Sequence, residues 1–436
     1  MTISIASTRA RPVPAEHRAN FNNLILDIAW FGVLNGSAIA FVAVYATRLG
    51  ANAFQLGLLN ATPAVVNLMF ALPAGRWLQG RPLSRATFAT SILHRLFYLV
   101  WVFLPLLFTS QGQVWALVAL TVLMSIPGTA LAIGFNGMFA ATVPPDWRGQ
   151  IVGTRNAAYA LTSIVVTLAC GRLLDALPFP LGYQVVFAIG AVGAAMSSLH
   201  LWRIRPTDEH RQPGRGRSMG DWADPGESVA TQSLRLSVGL RFLTRANPLS
   251  SRWFNPLRDL TFRKVLLLVA AMHLALYLAV PLFPLYLVNE IQLNDQFIGL
   301  GNSIFYIALF LASARLDAVT RRFGNRRAMA LGIVIISLYP AILSQANGPA
   351  LYLVASIMGG AGWALAGGAV GNYVLEKTPD DSRPSYLAWY NMSLQAGILL
   401  GALIAPALAG WWGLTIGLLF AAVCRFLIGA AIWRAE

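Results

Sequence analysis

The chain has 436 residues, of which 57% are apolar and only 11% charged, with a formal net charge of +15. Charged residues make up about a quarter of a typical soluble domain, so an ordinary soluble fold is excluded. The basic charge is scattered over many short polar stretches and builds no single face with interleaved aromatics, which excludes nucleic acid as the partner.

Residues 1–21 are polar and read as a cytoplasmic tail. Twelve apolar windows follow, at 22–47, 53–75, 87–109, 113–142, 151–174, 181–202, 265–288, 296–316, 328–346, 349–375, 386–410 and 412–433. Each has roughly the 20 residues that cross a hydrocarbon core about 30 Å thick. Backbone groups facing lipid must be satisfied within their own segment, so the spans are expected to be helical. The alternation of a membrane β-barrel is absent. The expected fold is an all-α integral membrane protein with twelve transmembrane helices. The first span has no small-residue cleavage site and reads as an uncleaved signal anchor.

The first span carries Asp27 and, near its middle, Asn35. A carboxylate inside a span is costly and needs a partner. Arg155 in the fifth span lies at similar depth from the same side, as do His94 and Arg95 in the third span. Two readings of Asp27 stand side by side: a protonation or cation-binding site, and an ion pair that serves packing. The stretch after the second span reads Gly75-Arg-Trp-Leu-Gln79-Gly-Arg-Pro82-Leu-Ser-Arg85. The fourth span holds Asn136, and Pro145-Asp-Trp-Arg148 opens the fifth, with Pro and Asp suited to a helix start. Cys170 and Cys424 lie inside spans and suit neither a disulfide nor a metal site.

The segment 204–263 interrupts the apolar pattern as a basic cytoplasmic linker, flexible over its Pro- and Gly-rich first part. Residues 229–243 within it have the composition of a basic interfacial helix, with a solvated coil as the plainer reading. The seventh span places His273 near its middle with Tyr277 one turn further along. A midplane His can bind a solute or switch charge near neutral pH, and it can equally be a neutral interhelical hydrogen-bonding group. After the eighth span comes Asp317-Ala-Val-Thr-Arg321-Arg322-Phe-Gly324-Asn-Arg326-Arg327. The tenth span carries Trp363, and Arg383 stands just before the eleventh. Gly397-x-x-x-Gly401 in the eleventh has the spacing of close helix packing. Arg425 in the twelfth is expected to snorkel or to pair at the periphery.

The second half repeats the first. Gly57, Asn60, Gln79 and Arg85 recur 242 positions later as Gly299, Asn302, Arg321 and Arg327. Arg148 and Asn156 recur 235 positions later as Arg383 and Asn391. A period this long is not a solenoid repeat but suits a duplicated bundle, the construction of many secondary transporters. The chain therefore divides into a tail (1–21), a six-helix bundle (22–203), the linker (204–263) and a second, pseudo-symmetric six-helix bundle (264–436). Most of the 32 Lys and Arg residues fall on one side if the N-terminus is cytoplasmic, which orients both termini inward in a cell (inner) membrane.

Over nearly its whole length the chain resembles the major facilitator superfamily of transporters. The family signature G-x-x-x-D-[RK]-x-G-[RK]-[RK] has degenerate copies in the two stretches quoted above. Its Asp is replaced by Gln79 and by Arg321, which puts any gating ion pair built on that Asp in doubt. The resemblance implies that spans one, four, seven and ten line a central cavity and that span five lies beside span one, which makes Arg155 the preferred partner of Asp27. That makes Asn35, Asn136, His273, Tyr277 and Trp363 the substrate-site candidates, Asp27 and Arg155 the candidate coupling pair, and Gly75, Arg85, Arg148, Arg321, Arg322, Gly324, Arg326 and Arg383 the candidate gating-loop residues. The typical span-five motif of the drug-antiporter branches is missing.

The expected function is secondary active transport of a small organic solute by alternating access, with protons as a candidate coupling ion. A sensor or a lipid-moving protein on the same scaffold is the alternative. The expected partners are a small-molecule substrate and membrane lipids, in a monomer. No clustered His, Asp, Glu or Cys motif suggests an enzyme, and no cofactor or metal is expected.

Overall fold

The computed structural model describes residues 15–205, 254–379 and 383–435. Its helices are α1 (Glu16–Arg48), α2 (Ala53–Leu78), α3 (Leu83–Leu107), α4 (Ser110–Thr142), α5 (Asp146–Ala176), α6 (Leu181–Arg203), α7 (Leu260–Glu290), α8 (Asp295–Ser313), α9 (Leu316–Leu343) and α10 (Pro349–Glu376). A final apolar run, Ser385–Arg434, has 50 residues. At 1.5 Å per residue it would be roughly twice as long as one crossing needs. Gly413, at φ 80°, breaks it into α11 (383–412) and α12 (414–434). Twelve crossings result. The end of the bundle where α1 begins is here called the tail side, and the opposite end the far side.

Helix α1 starts inside the stretch read as a polar tail. Phe21 explains this, because its side chain is buried among Met138, Phe139 and Ile151 at the tail-side turn between α4 and α5. Helix α7 likewise starts within the stretch read as linker, where Asp259 caps the amides of Thr261 and Phe262. The candidate interfacial helix at 229–243 lies outside the described residues.

Caps fix the far-side starts. Asn52 and Gln55 form a reciprocal capping box on α2, and Asn294 accepts from the Phe297 amide on α8. Within each half, glycines let helices approach closely. A Cβ on Gly193 of α6 would lie 2.9 Å from the Trp30 carbonyl of α1, and one on Gly397 of α11 would lie 2.4 Å from the Ala270 carbonyl of α7. Gly75 is buried in the last turns of α2 rather than in a loop.

Gly324 is the motif glycine that its backbone requires. Its φ of 79° turns the chain between a short tail-side segment of α9 and the span proper, and beyond the adjoining backbone no described atom stands within 4 Å of where its Cβ would be. The cost of a side chain there is conformational only. Gly324→Ala is expected to destabilise by about 1 kcal/mol and Gly324→Val by more, since β-branching disfavours the left-handed region. Thermal unfolding of the purified variants checks that order.

Two helices are irregular at matching places. In α1 a π-helical turn covers Asn35–Ile39. In α7 the regular helix ends at Tyr277, and a turn at 278–281 leads into Leu282–Leu285 and a second π turn at Tyr286–Glu290. Asn35 and Tyr277 are 242 positions apart, so both breaks occupy one position of the repeat. Interrupted helices at equivalent places in two halves mark the functional centre of many transporters.

Candidate membrane transport site

Three constellations run from the tail side to the far side. The first surrounds Asp27, which is 4% exposed. Arg155 of α5 approaches one carboxylate oxygen, with Nη2 at 3.3 Å from Oδ2, and also donates to the Leu24 carbonyl. Arg95 of α3 lies 3.8 Å from Oδ1, and Ser197 of α6 donates to Oδ1 at 2.5 Å. Arg155 rests over the ring of Phe135 at 4.9 Å, and Arg95 over Phe31 at 5.9 Å. One carboxylate thus ties four helices of the first half together. The cluster holds two guanidinium cations and one anion, and Nε of both arginines has no hydrogen-bond partner.

The second constellation joins the halves at mid-depth. The Asn35 amide donates to Ser163 Oγ of α5 at 3.3 Å and to Tyr306 Oη of α8 at 3.1 Å. Tyr159 sets its ring edge-on to Tyr306, with centroids 6.4 Å apart, and stacks on Phe31 at 6.1 Å. The π turn aims Asn35 here: it inserts a residue into α1 at this level and changes which face the side chain meets. This junction carries no formal charge. It offers amide, hydroxyl and aromatic surface only.

The third constellation seals the far side. Arg48, the last residue of α1, donates from Nε and Nη2 to Asp295 Oδ1 of α8 at 2.9 and 2.8 Å. Its Nη2 also reaches the Leu293 carbonyl at 3.0 Å. In the other direction Asp175, at the end of α5, accepts from the Asp295 amide at 3.0 Å. A carboxylate at a helix N-terminus is favoured by unpaired amides and the helix dipole. Below this latch, α5 and α8 touch backbone to backbone: a Cβ on Gly299 would lie 2.9 Å from the Thr167 carbonyl. Val44 of α1 packs with Leu278, Ala279 and Leu282 of α7 in the same far-side layer.

The other candidates distribute as follows. His273 is buried, its Nδ1 lies 2.9 Å from the Val269 carbonyl of its own helix, and its Cβ faces Gly397 of α11. Tyr277 packs in the same way on Gly401. These two side chains join α7 to α11, so Gly397-x-x-x-Gly401 is a packing groove that they fill. Trp363 is half-buried and lies against Gly367 one turn on, and Asn136 is buried within α4.

Among the gating-loop candidates, Arg148 donates to the Val143 and Ala140 carbonyls and so closes the end of α4. Arg321 pairs with Asp317 in an exposed i,i+4 bridge, Arg322 lies over Phe323, and Arg326 reaches the Ile432 carbonyl. Arg85 is exposed. Arg383 begins α11, but its side chain lies outside the described residues. Arg425 departs from expectation: it is 2% exposed and does not snorkel, because three backbone carbonyls hold it inside the second half.

Sequence reasoning missed Ser197, Ser163, Tyr159, Tyr306 and the Arg48–Asp295–Asp175 latch. Hydroxyl residues in apolar helices are too common to single out. The latch residues sit at helix ends, where charged side chains are ordinary. Among the described residues, no group of three or more His, Cys, Asp or Glu side chains gathers to hold a metal.

Two pseudo-symmetric six-helix bundles, sealed at one end over an uncharged mid-depth junction, define a membrane solute carrier. The chain belongs to the major facilitator superfamily, whose family model matches residues 26–272 and again 265–435. It is a multi-pass membrane protein of that transporter family. Sugar transport protein MST8 of Oryza sativa subsp. japonica is 32% identical over 136 residues, 30% of this chain and 26% of that protein. Sugar carrier protein C of Ricinus communis is 27% identical over 131 residues. The chain spans about a quarter of the length of the curated relatives it matches. The nucleoside transporter NupG superposes with a TM-score of 0.67 at 14% identity, covering 96% of this chain and 100% of that one. A bacterial homologue of the iron transporter ferroportin gives 0.68 in its inward-facing state, at 13% identity and covering 96% of this chain and 99% of that one. In an outward-facing state the ferroportin homologue gives 0.53, at 12% identity and covering 95% and 99%.

Proposed function

We propose that the chain carries a small, neutral, hydroxyl-bearing organic solute by rocking its two halves about the Asn35–Tyr306 junction. The observation that carries this reading is the junction itself: an amide of one half donates to a phenol of the other, and the side chains that meet there, Asn35, Ser163, Tyr159 and Tyr306, carry no formal charge. An uncharged set of donors, acceptors and aromatic faces suits hydroxyl groups and a sugar or heterocyclic ring better than a multiply charged anion. The sugar and nucleoside carriers named above support the same class.

The far-side latch makes this the state closed on that side. With the tail side cytoplasmic, as the distribution of Lys and Arg favours, it is the inward-facing state of a protein in the cell (inner) membrane. The higher TM-score with the inward-facing ferroportin homologue supports this. The chain works as a monomer, and a solute or ion gradient supplies the energy. Asp27 serves packing in this reading, because neutralising it would leave two buried guanidinium groups without a counter-ion.

Counterflow into proteoliposomes, with a panel of labelled monosaccharides, nucleosides and organic anions, tests the proposal. Uptake of one neutral hydroxylated solute is expected. Saturable binding without flux would instead mark a sensor, and flux of anions alone would reject the substrate class. At the junction, Tyr306→Phe and Asn35→Ala are each expected to raise the half-saturation concentration of the carried solute about tenfold or more while protein yield holds. Each variant removes a polar group that the solute bonds in this reading, leaving one of its hydroxyls without a partner in the bound state. An unchanged half-saturation in both would move the site elsewhere.

A further inference from the structure

We propose that Arg425 is the positioning residue of a hinge in α7, holding the near arm of that helix while its far arm moves with the far-side seal. The starting point is a buried cation whose described hydrogen-bond partners are carbonyls alone. Arg425 Nε donates to the Ala275 carbonyl at 3.2 Å, Nη2 to the Leu276 carbonyl at 2.6 Å, and Nη1 to the Ile336 carbonyl of α9 at 3.3 Å. In an unbroken helix, the Ala275 and Leu276 carbonyls would accept from the amides of Ala279 and Val280. Those amides lie in the turn at 278–281, and the Ala279 amide makes only a long bond, 3.5 Å, to Leu276. Pro281 has no amide to offer and crowds the carbonyl four residues back. The guanidinium therefore replaces the donors that the break removes, with the planar fork that spans two adjacent carbonyls.

The break is also where α7 changes surroundings. Its near arm, Leu260–Tyr277, contributes Val265, Val269, Met272 and Leu276 to the core of the second half. Its far arm contributes Leu282, Tyr286 and Leu287 to a separate cluster that includes Val44 of α1, in the other half. Arg425 touches both arms, since its guanidinium also lies 5.7 Å from the ring centroid of Phe283. The first half solves the same problem without a charge. Gly190 stands at the matching place of α6, 235 positions earlier, and presses against Ser37 and Ala38 in the π turn of α1. A glycine lets α1 be clamped by its neighbour, whereas an arginine leaves α7 an open joint bridged by hydrogen bonds.

Hydrogen exchange on the purified full chain in lipid nanodiscs tests the hinge, whatever solute is carried. Arg425→Lys keeps the charge but loses the fork, and Arg425→Gln loses both. In each, amides over 278–287 are expected to exchange about tenfold faster or more, while those of α10 and of 262–272 hold. Phe283→Leu, which leaves the carbonyl bonds intact, should give a smaller rise in the same amides. Unchanged exchange in the Lys variant overturns the proposal. So does an equal rise throughout the second half, which would make Arg425 an ordinary core residue.

Discussion

Asp27→Asn is expected to destabilise the first half by about 3–5 kcal/mol, the cost of stripping the counter-ion from a buried pair. Asp27 is 4% exposed, and both Arg95 and Arg155 approach it within 3.8 Å. Water does not screen the loss at such burial. The single substitution takes the cluster from two cations and one anion to two unpaired cations. The double variant Asp27→Asn with Arg155→Gln returns the cluster to one net positive charge and should recover most of the stability. Thermal unfolding of the three proteins reads this directly. Transport then separates the two roles of Asp27. If the stable double variant still moves solute under a pH gradient as well as wild type, Asp27 is a packing residue. If it folds but has lost only the pH-driven component, the carboxylate carries the coupling proton.

Gly299→Leu is expected to slow transport by roughly one to two orders of magnitude. A Cβ at this position meets the Thr167 carbonyl at 2.9 Å and the Gly171 backbone at 3.3 Å, and backbone cannot move aside as a flexible side chain would. Overpacking of this kind costs about 1–3 kcal/mol or more. The cost falls only on the state in which α5 and α8 touch on the far side, so it shifts the population toward far-side opening by about ten- to hundredfold. Gly153 provides the control, because beyond its own helix backbone no described atom lies within 4 Å of the Cβ that a substitution would add. Gly153→Leu should leave flux unchanged. The contrast is measured as counterflow rate, with far-side thiol labelling rising in the Gly299 variant. Equal rates for the two variants would mean that the α5–α8 contact does not gate transport.

The crossings and the duplication were legible in the sequence because burial in lipid forces long apolar helices, and a repeat of over 200 residues survives divergence at a few glycines and asparagines. The Asp27–Arg155 contact was legible only with the resemblance, which puts the fifth span beside the first; depth alone leaves Arg155, Arg95 and His94 level. What depth does not give is azimuth. Arg95 was placed at the right level without being assigned to Asp27, and Ser197, on α6, was not considered at all. The π turn at Asn35–Ile39 adds to the difficulty: it rotates every later side chain of α1 by about one residue's turn relative to a regular helix. His273 and Tyr277 were site candidates because the resemblance has the seventh span lining the cavity. Their side chains pack on Gly397 and Gly401 of α11 instead. Arg425 was misread for a related reason. A lone arginine in a span usually reaches for the headgroups, and two of the three carbonyls that hold this one lie at the break in α7.

Alternating access is tested most directly by tying the far side shut. Cysteines at Asp175 and Gln296, whose carboxylate and amide lie 3.4 Å apart across the two halves, would be joined by a short bifunctional maleimide. The background would carry serine at Cys170 and Cys424. The expected result is that cross-linked protein loses counterflow, while the same variant left unlinked or treated with a monofunctional maleimide retains it. Full-rate flux through protein with the far side held closed would contradict the account.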